Sequence, residues 1–156
     1  MVIAVIQRVD RAAVSVDGEV VGKTGEGLMI LLGVRTEDEE KDAELLAEKI
    51  SKLRIFRDEN GKLNLSVKDI GGGALVVSNF TLMANYTHGN RPDYLNAARP
   101  EQALRLYEYF RDQLQDRLPG PVETGRFGAH MEIDAKCNGP ITIVMDSSVL
   151  RAGRNQ

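Results

Sequence analysis

Two apolar stretches constrain this chain more than anything else in it: Gly27–Val34 (GLMILLGV) and Ala74–Phe80 (ALVVSNF). Neither alternates polar with apolar residues, so each reads as a strand buried on both faces rather than one lying against solvent. The segments before and around them agree. Val2–Val9 is rich in β-formers, and Ala12–Val16 and Val20–Lys23 flank Asp17-Gly18, a two-residue hairpin signal. Arg54–Arg57 and Leu63–Val67 read as strands around the turn Asp58-Glu59-Asn60-Gly61, and Gly71-Gly72-Gly73 forms a hinge before the second apolar run.

Two stretches carry helical spacing instead. Ala43, Leu46, Ile50 and Leu53 recur on one face, so a helix is expected over Glu37–Leu53, with Thr36 and Glu39 as a capping box and acidic residues in its first turn. Pro100 suits the first turn of a second helix, whose apolar face is Ala103, Tyr107, Phe110 and Leu114 and which Pro119-Gly120-Pro121 stops. Two last strands, Met131–Ala135 and Ile141–Met145, are expected on either side of Asn138-Gly139-Pro140. Residues 83–98 lack a period, and a loop of that length in a small domain is often functional. The expectation is one α+β domain over residues 1–146, strand-rich with two main helices, and a fraying polar tail over 147–156.

Composition removes several function classes. A chain of 156 residues with 42% apolar residues buries roughly 70% of its unfolded surface as a single core. Its one cysteine, Cys137, excludes an intrachain disulfide and a cysteine zinc cluster, and fits a reducing compartment. No apolar run approaches the length of a membrane span, and the opening MVIAVIQRVD is strand-like without a basic leader, so a cytoplasmic protein is expected. The net charge of −3 rules out bulk attraction to nucleic acid, leaving only a local patch for any RNA contact. With only His88 and His130 available, a histidine-based metal site and a Ser-His-Asp triad are both disfavoured.

Three segments could carry chemistry. Ser78-Asn79-Phe80-Thr81 ends a buried strand just ahead of the long loop, where hydroxyls, an amide and free backbone N–H groups can be presented together. The bland alternative is a strand end whose polar side chains satisfy the local backbone. Asn138-Gly139-Pro140 is either a simple turn or a cis-proline site, and sequence alone leaves both open. Thr124-Gly125-Arg126-Phe127, ahead of His130-Met131, is the third, with Phe127 equally readable as core. Gly71–Gly73 lacks the Lys and Ser/Thr of a phosphate loop. Both histidines read as structural or exposed.

Taken in order, these segments resemble the D-aminoacyl-tRNA deacylase family over almost the whole chain. The matching residues are Ile6-Gln7-Arg8-Val9, the Gly33 region, Arg54-Ile55-Phe56, Asn64-Leu65, Gly71-Gly72 and Ser78-Asn79-Phe80-Thr81-Leu82. They continue with Gly89, Arg91-Pro92, Thr124-Gly125-Arg126-Phe127 and Asn138-Gly139-Pro140-Ile141-Thr142. The resemblance implies a homodimer with a barrel-like antiparallel or mixed sheet, no metal or organic cofactor, and aminoacylated tRNA as partner. The implied reaction is hydrolysis of the ester joining a D-amino acid, or glycine, to the tRNA's terminal adenosine, a proofreading step. It casts Thr81, Ser78 and Phe80 as catalytic, and Asn79, Gly139, Pro140, Arg8, Phe127 and Met131 as substrate-binding. In the family the Gly-Pro peptide is cis and reaches into the partner's site, its carbonyls excluding an L side chain, while the arginine equivalent to Arg8 steadies it.

Two residues depart from the family pattern. Asn79 stands where Gln is usual, one methylene shorter, and Cys137 stands where an Asn usually precedes the Gly-Pro by two positions. A thiol cannot reproduce an amide's donors and acceptor, so the bonds supporting Gly139-Pro140 are expected to differ. The alternatives are an RNA-end binding module without turnover and a paralogue with relaxed chirality acting on small L-aminoacyl esters.

Overall fold

The computed structural model describes residues 1–154. Strand β1 runs unbroken over Ile3–Val16, so the two expected strands are one. Its alternation buries Ala4, Ile6 and Arg8 and, further along, Ala12, Val14 and Val16. Asp17 and Gly18, both with positive φ, turn the chain into β2 (Glu19–Thr24), which is followed by β3 (Gly27–Gly33). Both pair antiparallel with β1, β2 along its second half and β3 along its first. Strand β6 (Gly73–Ser78) runs parallel to β3, and β7 (Val122–Thr124) parallel to β6. The small hairpin β4 (Phe56–Arg57) and β5 (Leu63–Leu65) is shorter than expected and forms a separate sheet.

The sheet nearly closes where β2 meets β7. The Lys23 N–H donates to the Glu123 carboxylate at 3.1 Å. Gly22 makes the approach possible, because a Cβ there would stand 2.2 Å from the Thr124 carbonyl oxygen. The two apolar runs are buried on both faces, as their patterns required. Leu28, Ile30, Ala74 and Val76 face one core with Leu46, Ile50, Phe110 and Leu114 of the helices, whereas Met29, Leu75 and Val77 face a second cluster with Val9 and Val14.

Helix α1 spans Glu40–Lys52 and α2 spans Pro100–Arg117. The N-terminal cap of α1 is not the expected Thr36–Glu39 box but a box three residues later, in which the Glu39 N–H donates to Asp42 at 2.9 Å. Strand β7, unread in the sequence, is three residues long and too short to carry a period.

The C-terminal region corrects two expectations. The two last strands are one, β8 (Glu132–Asp146), pairing antiparallel with β1 from Ile3 to Ser15, and Asn138-Gly139-Pro140 lies inside it. Residues 155–156 of the expected fraying tail lie outside the described residues, but Ser147–Arg154 form a third helix, α3. Ser147 explains why. Its fully buried hydroxyl accepts from the Val2 N–H at 2.8 Å and donates to the Asp42 carboxylate at 2.9 Å. Arg151, one turn on, pairs with the same carboxylate at 3.0 Å. A polar sequence hid the docking because its attachment is ionic and hydrogen-bonded rather than apolar.

Ser147→Ala should therefore destabilise the protein by about 1–3 kcal/mol, the cost of a buried donor left without a partner. Urea denaturation would read this as a lower midpoint at unchanged slope. The exposed Ser148→Ala should stay within about 0.5 kcal/mol of the parent.

Candidate active site

Strand β6 stops at Ser78, two residues earlier than its apolar pattern suggests. The Asn79 N–H still reaches the Leu32 carbonyl at 2.8 Å, and the chain then folds into a single 3₁₀ turn over Phe80–Met83. Within it the Leu82 N–H donates to Asn79 O at 3.3 Å, and Ala84 closes it onto Thr81 O at 3.1 Å. The amides of Phe80 and Thr81 open the turn and so have no carbonyl within it to bond. The Thr81 hydroxyl donates to Asn79 Oδ1 at 2.5 Å. The turn sits tightly on β3 at Gly33: a Cβ there would lie 2.7 Å from the Met83 methyl, 3.0 Å from Leu82 Cβ and 3.1 Å from Asn79 O.

This turn forms one lip of a cavity of about 830 Å³. Ser78, Asn79, Phe80 and Thr81 line it together with Phe127 and Met131, so six of the nine site residues expected from sequence meet in one place. Phe80 is mostly exposed and meets Tyr94 edge-on, ring centroids 5.1 Å apart at 76°. Phe127 leans on Tyr107 at 6.0 Å, and the Tyr107 hydroxyl donates to Val76 O at 2.8 Å. Burial holds that phenol above its ordinary range, so Tyr107 stays a neutral donor that backs Phe127 from behind the cavity wall. Tyr94 and the exposed His130 also line the cavity. Sequence spacing gave no signal for either, since each comes from an irregular segment that only the fold brings to Ser78.

Arg8, Gly139 and Pro140 lie elsewhere on the chain, outside the lining of this cavity. Between the pairs Gln7↔Thr142 and Val9↔Cys137, one residue of β1 faces four of β8, so Asn138–Ile141 bulge out of the ladder. The Gly139-Pro140 peptide is cis, and Gly139 has φ 124°. Both residues are exposed on the single chain. Arg8, only 6% exposed, holds the base of the bulge. Its Nε donates to Asn138 O at 3.1 Å, one terminal nitrogen to Asn138 Oδ1 at 3.2 Å, and the other to Ile55 O at 2.9 Å. With Cys137 exposed, the amide beside the Gly-Pro comes from Asn138.

Residues 5–146 match the family described as D-Tyr-tRNA(Tyr) deacylase. The chain belongs to that family. A D-aminoacyl-tRNA deacylase of Ruegeria pomeroyi is 55% identical over 143 residues, covering 92% of this chain and 98% of its own. One from Roseiflexus sp. (strain RS-1) is 52% identical over 153 residues, 98% of each chain. Among solved structures, the c-Myc DNA Unwinding Element Binding Protein superposes with a TM-score of 0.87 at 41% identity, covering 92% of this chain and 97% of that one.

Because Gly33 sets how closely the Phe80–Met83 turn packs, Gly33→Ala should displace the candidate site more than it harms the fold. Its kcat/KM is expected to fall on the order of 10²-fold, the scale of a misplacement of about 1 Å. Steady-state kinetics alongside a thermal melt would check this. A variant with parental kinetics would mean the turn does not set the geometry.

Proposed function

We propose that this protein hydrolyses the ester linking a D-amino acid to the 3′-terminal adenosine of tRNA, releasing the free D-amino acid and reusable tRNA. The observation that carries the reading is the cleft. In a chain over half identical to a D-aminoacyl-tRNA deacylase, hydroxyls and amide N–H groups line one lip of a large, mainly apolar hollow. Such a hollow accepts many side chains, and the polar lip meets the part all aminoacyl esters share. Glycyl-tRNA passes the same test, having no side chain to reject. A cytoplasmic location, expected from the composition, fits that substrate.

The chemistry begins with the ester's own activation. An aminoacyl ester needs a positioned water and a stabilised oxyanion more than a strong nucleophile. The free N–H groups of Phe80 and Thr81 suit the oxyanion as charge develops on the carbonyl oxygen. Thr81 is poorly placed as a nucleophile, because its proton goes to a neutral amide oxygen rather than to a base. We assign it a positioning role with Ser78, leaving the tRNA's terminal 2′-hydroxyl to help activate water. Asn79, one methylene shorter than the usual Gln, is engaged in fixing the Thr81 hydroxyl.

Chirality falls to the bulge of β8. Its Gly139 and Pro140 stand outside their own chain's cavity, and the edge of β8 away from β1 is free of strand partners among the described residues. We assign the bulge to the cleft of a second copy in a homodimer. There its backbone carbonyls occupy the space an L side chain would need and meet the α-amino group. A clash of this kind rejects one enantiomer without reading side-chain identity.

Incubation with D-Tyr-tRNA and L-Tyr-tRNA should release tyrosine from the first alone; binding without release would favour the RNA-end module, and release from small L-aminoacyl-tRNAs the relaxed paralogue. Thr81→Ala should keep activity within about tenfold, whereas tRNA ending in 2′-deoxyadenosine should react about 10²-fold more slowly, the usual reach of a proton-transfer group. A covalent acyl adduct trapped on Thr81 would overturn the assignment.

A further inference from the structure

The ladder between β1 and β8 is irregular twice. Beside the large bulge in β8, the pairs Val9↔Cys137 and Arg11↔Lys136 leave one residue of β1, Asp10, opposite nothing. A one-residue bulge re-aims its side chain, and here it turns the Asp10 carboxylate toward the larger bulge. Asn138 Nδ2 donates to Asp10 Oδ1 at 2.8 Å, and Lys136 stands 3.6 Å from Asp10 Oδ2. The other end of the same amide, Oδ1, accepts from Arg8. One side-chain amide is thus held between a buried cation and an anion, which fixes both its orientation and the start of the Gly139-Pro140 segment.

We infer that Asp10 and Asn138 are positioning residues for chiral discrimination: the Asp10–Asn138–Arg8 chain sets where the Gly139-Pro140 main chain stands. The inference rests on the reading of that segment as the chiral wall. The amide that meets Arg8 belongs to Asn138 rather than to position 137, and the β1 bulge supplies the carboxylate that receives it. The Asn138 bond, the largest influence on the Asp10 carboxyl, keeps it below the usual carboxylate range, so the clamp is charged at neutral pH.

The geometry permits an exchange test. Asn138→Asp sets two carboxylates at hydrogen-bonding distance and leaves Asp10 with Lys136 alone as a side-chain partner, so the wall loosens. In the double variant Asp10→Asn with Asn138→Asp, the new amide donates to the new carboxylate, which still accepts from Arg8. The measurement is the ratio of kcat/KM for D-Tyr-tRNA over L-Tyr-tRNA, with a thermal melt for each protein. Asn138→Asp should lower the ratio about tenfold, and the exchanged pair should recover it to within about threefold, as expected of directly coupled residues. A merely structural role would move the melt and leave the ratio alone. If Asn138→Asp does not fold, Asp10→Ala at the partly exposed end of the chain carries the test, with the same fall expected. A D-selective parent whose variants keep its ratio, or an exchanged pair that fails to recover it, overturns the proposal. A parent without D-preference instead removes the reading on which it rests, and the proposal with it.

Discussion

The buried guanidinium of Arg8 is the interaction around which this structure is arranged. It occupies an inward-facing position of β1, in phase with Ala4 and Ile6, where an apolar side chain would be the ordinary choice. A cation taken out of water is costly unless oxygens surround it. Here they are the carbonyls of Ile55 and Asn138 and the Asn138 side chain. Satisfying one charge thereby ties together β1, the segment entering the β4–β5 hairpin and the bulge of β8, three parts distant in sequence. Removing the guanidinium would leave those acceptors unpaired as well as the bulge unanchored.

The cavity is built on different terms. Its floor is the apolar β3–β6 pair, aromatic rings and small residues make up its walls, and its polar groups are those of the stretch Ser78–Thr81, with His130 and the Tyr94 hydroxyl. Gly33 brings that stretch down onto β3, and Tyr107, whose hydroxyl is pinned to Val76, backs the Phe127 ring in the wall. The candidate site and the proposed chiral wall are thus held differently, the cleft by packing and the outlying main-chain segment by charge.

Much of this was legible beforehand. The two apolar runs announced strands covered on both faces, helical spacing located α1 and α2, and Asp17-Gly18 announced the hairpin. Ser78–Thr81, Phe127 and Met131 were singled out and share one cavity. What escaped has a common cause. The docking of Ser147, the β1 bulge at Asp10, the placement of His130 and Tyr94, and the continuity of β8 through Asn138–Ile141 all depend on partners well outside the local sequence window. None leaves a local period. Asn138 drew attention only as the neighbour of a Gly-Pro pair, and its amide acquires meaning once Arg8 and Asp10 stand on either side of it.

A surface made of main chain has an unusual relation to heredity. Every amino acid carries the same carbonyl, so codon changes within the exposed bulge of β8 cannot delete the oxygens it presents; they can only shift them. Gly139, at φ 124°, is the residue there with least freedom to vary. Drift in such a segment is felt through the residues that hold it in place, and the fragile letters of the gene lie at its supports, Arg8 and Asn138.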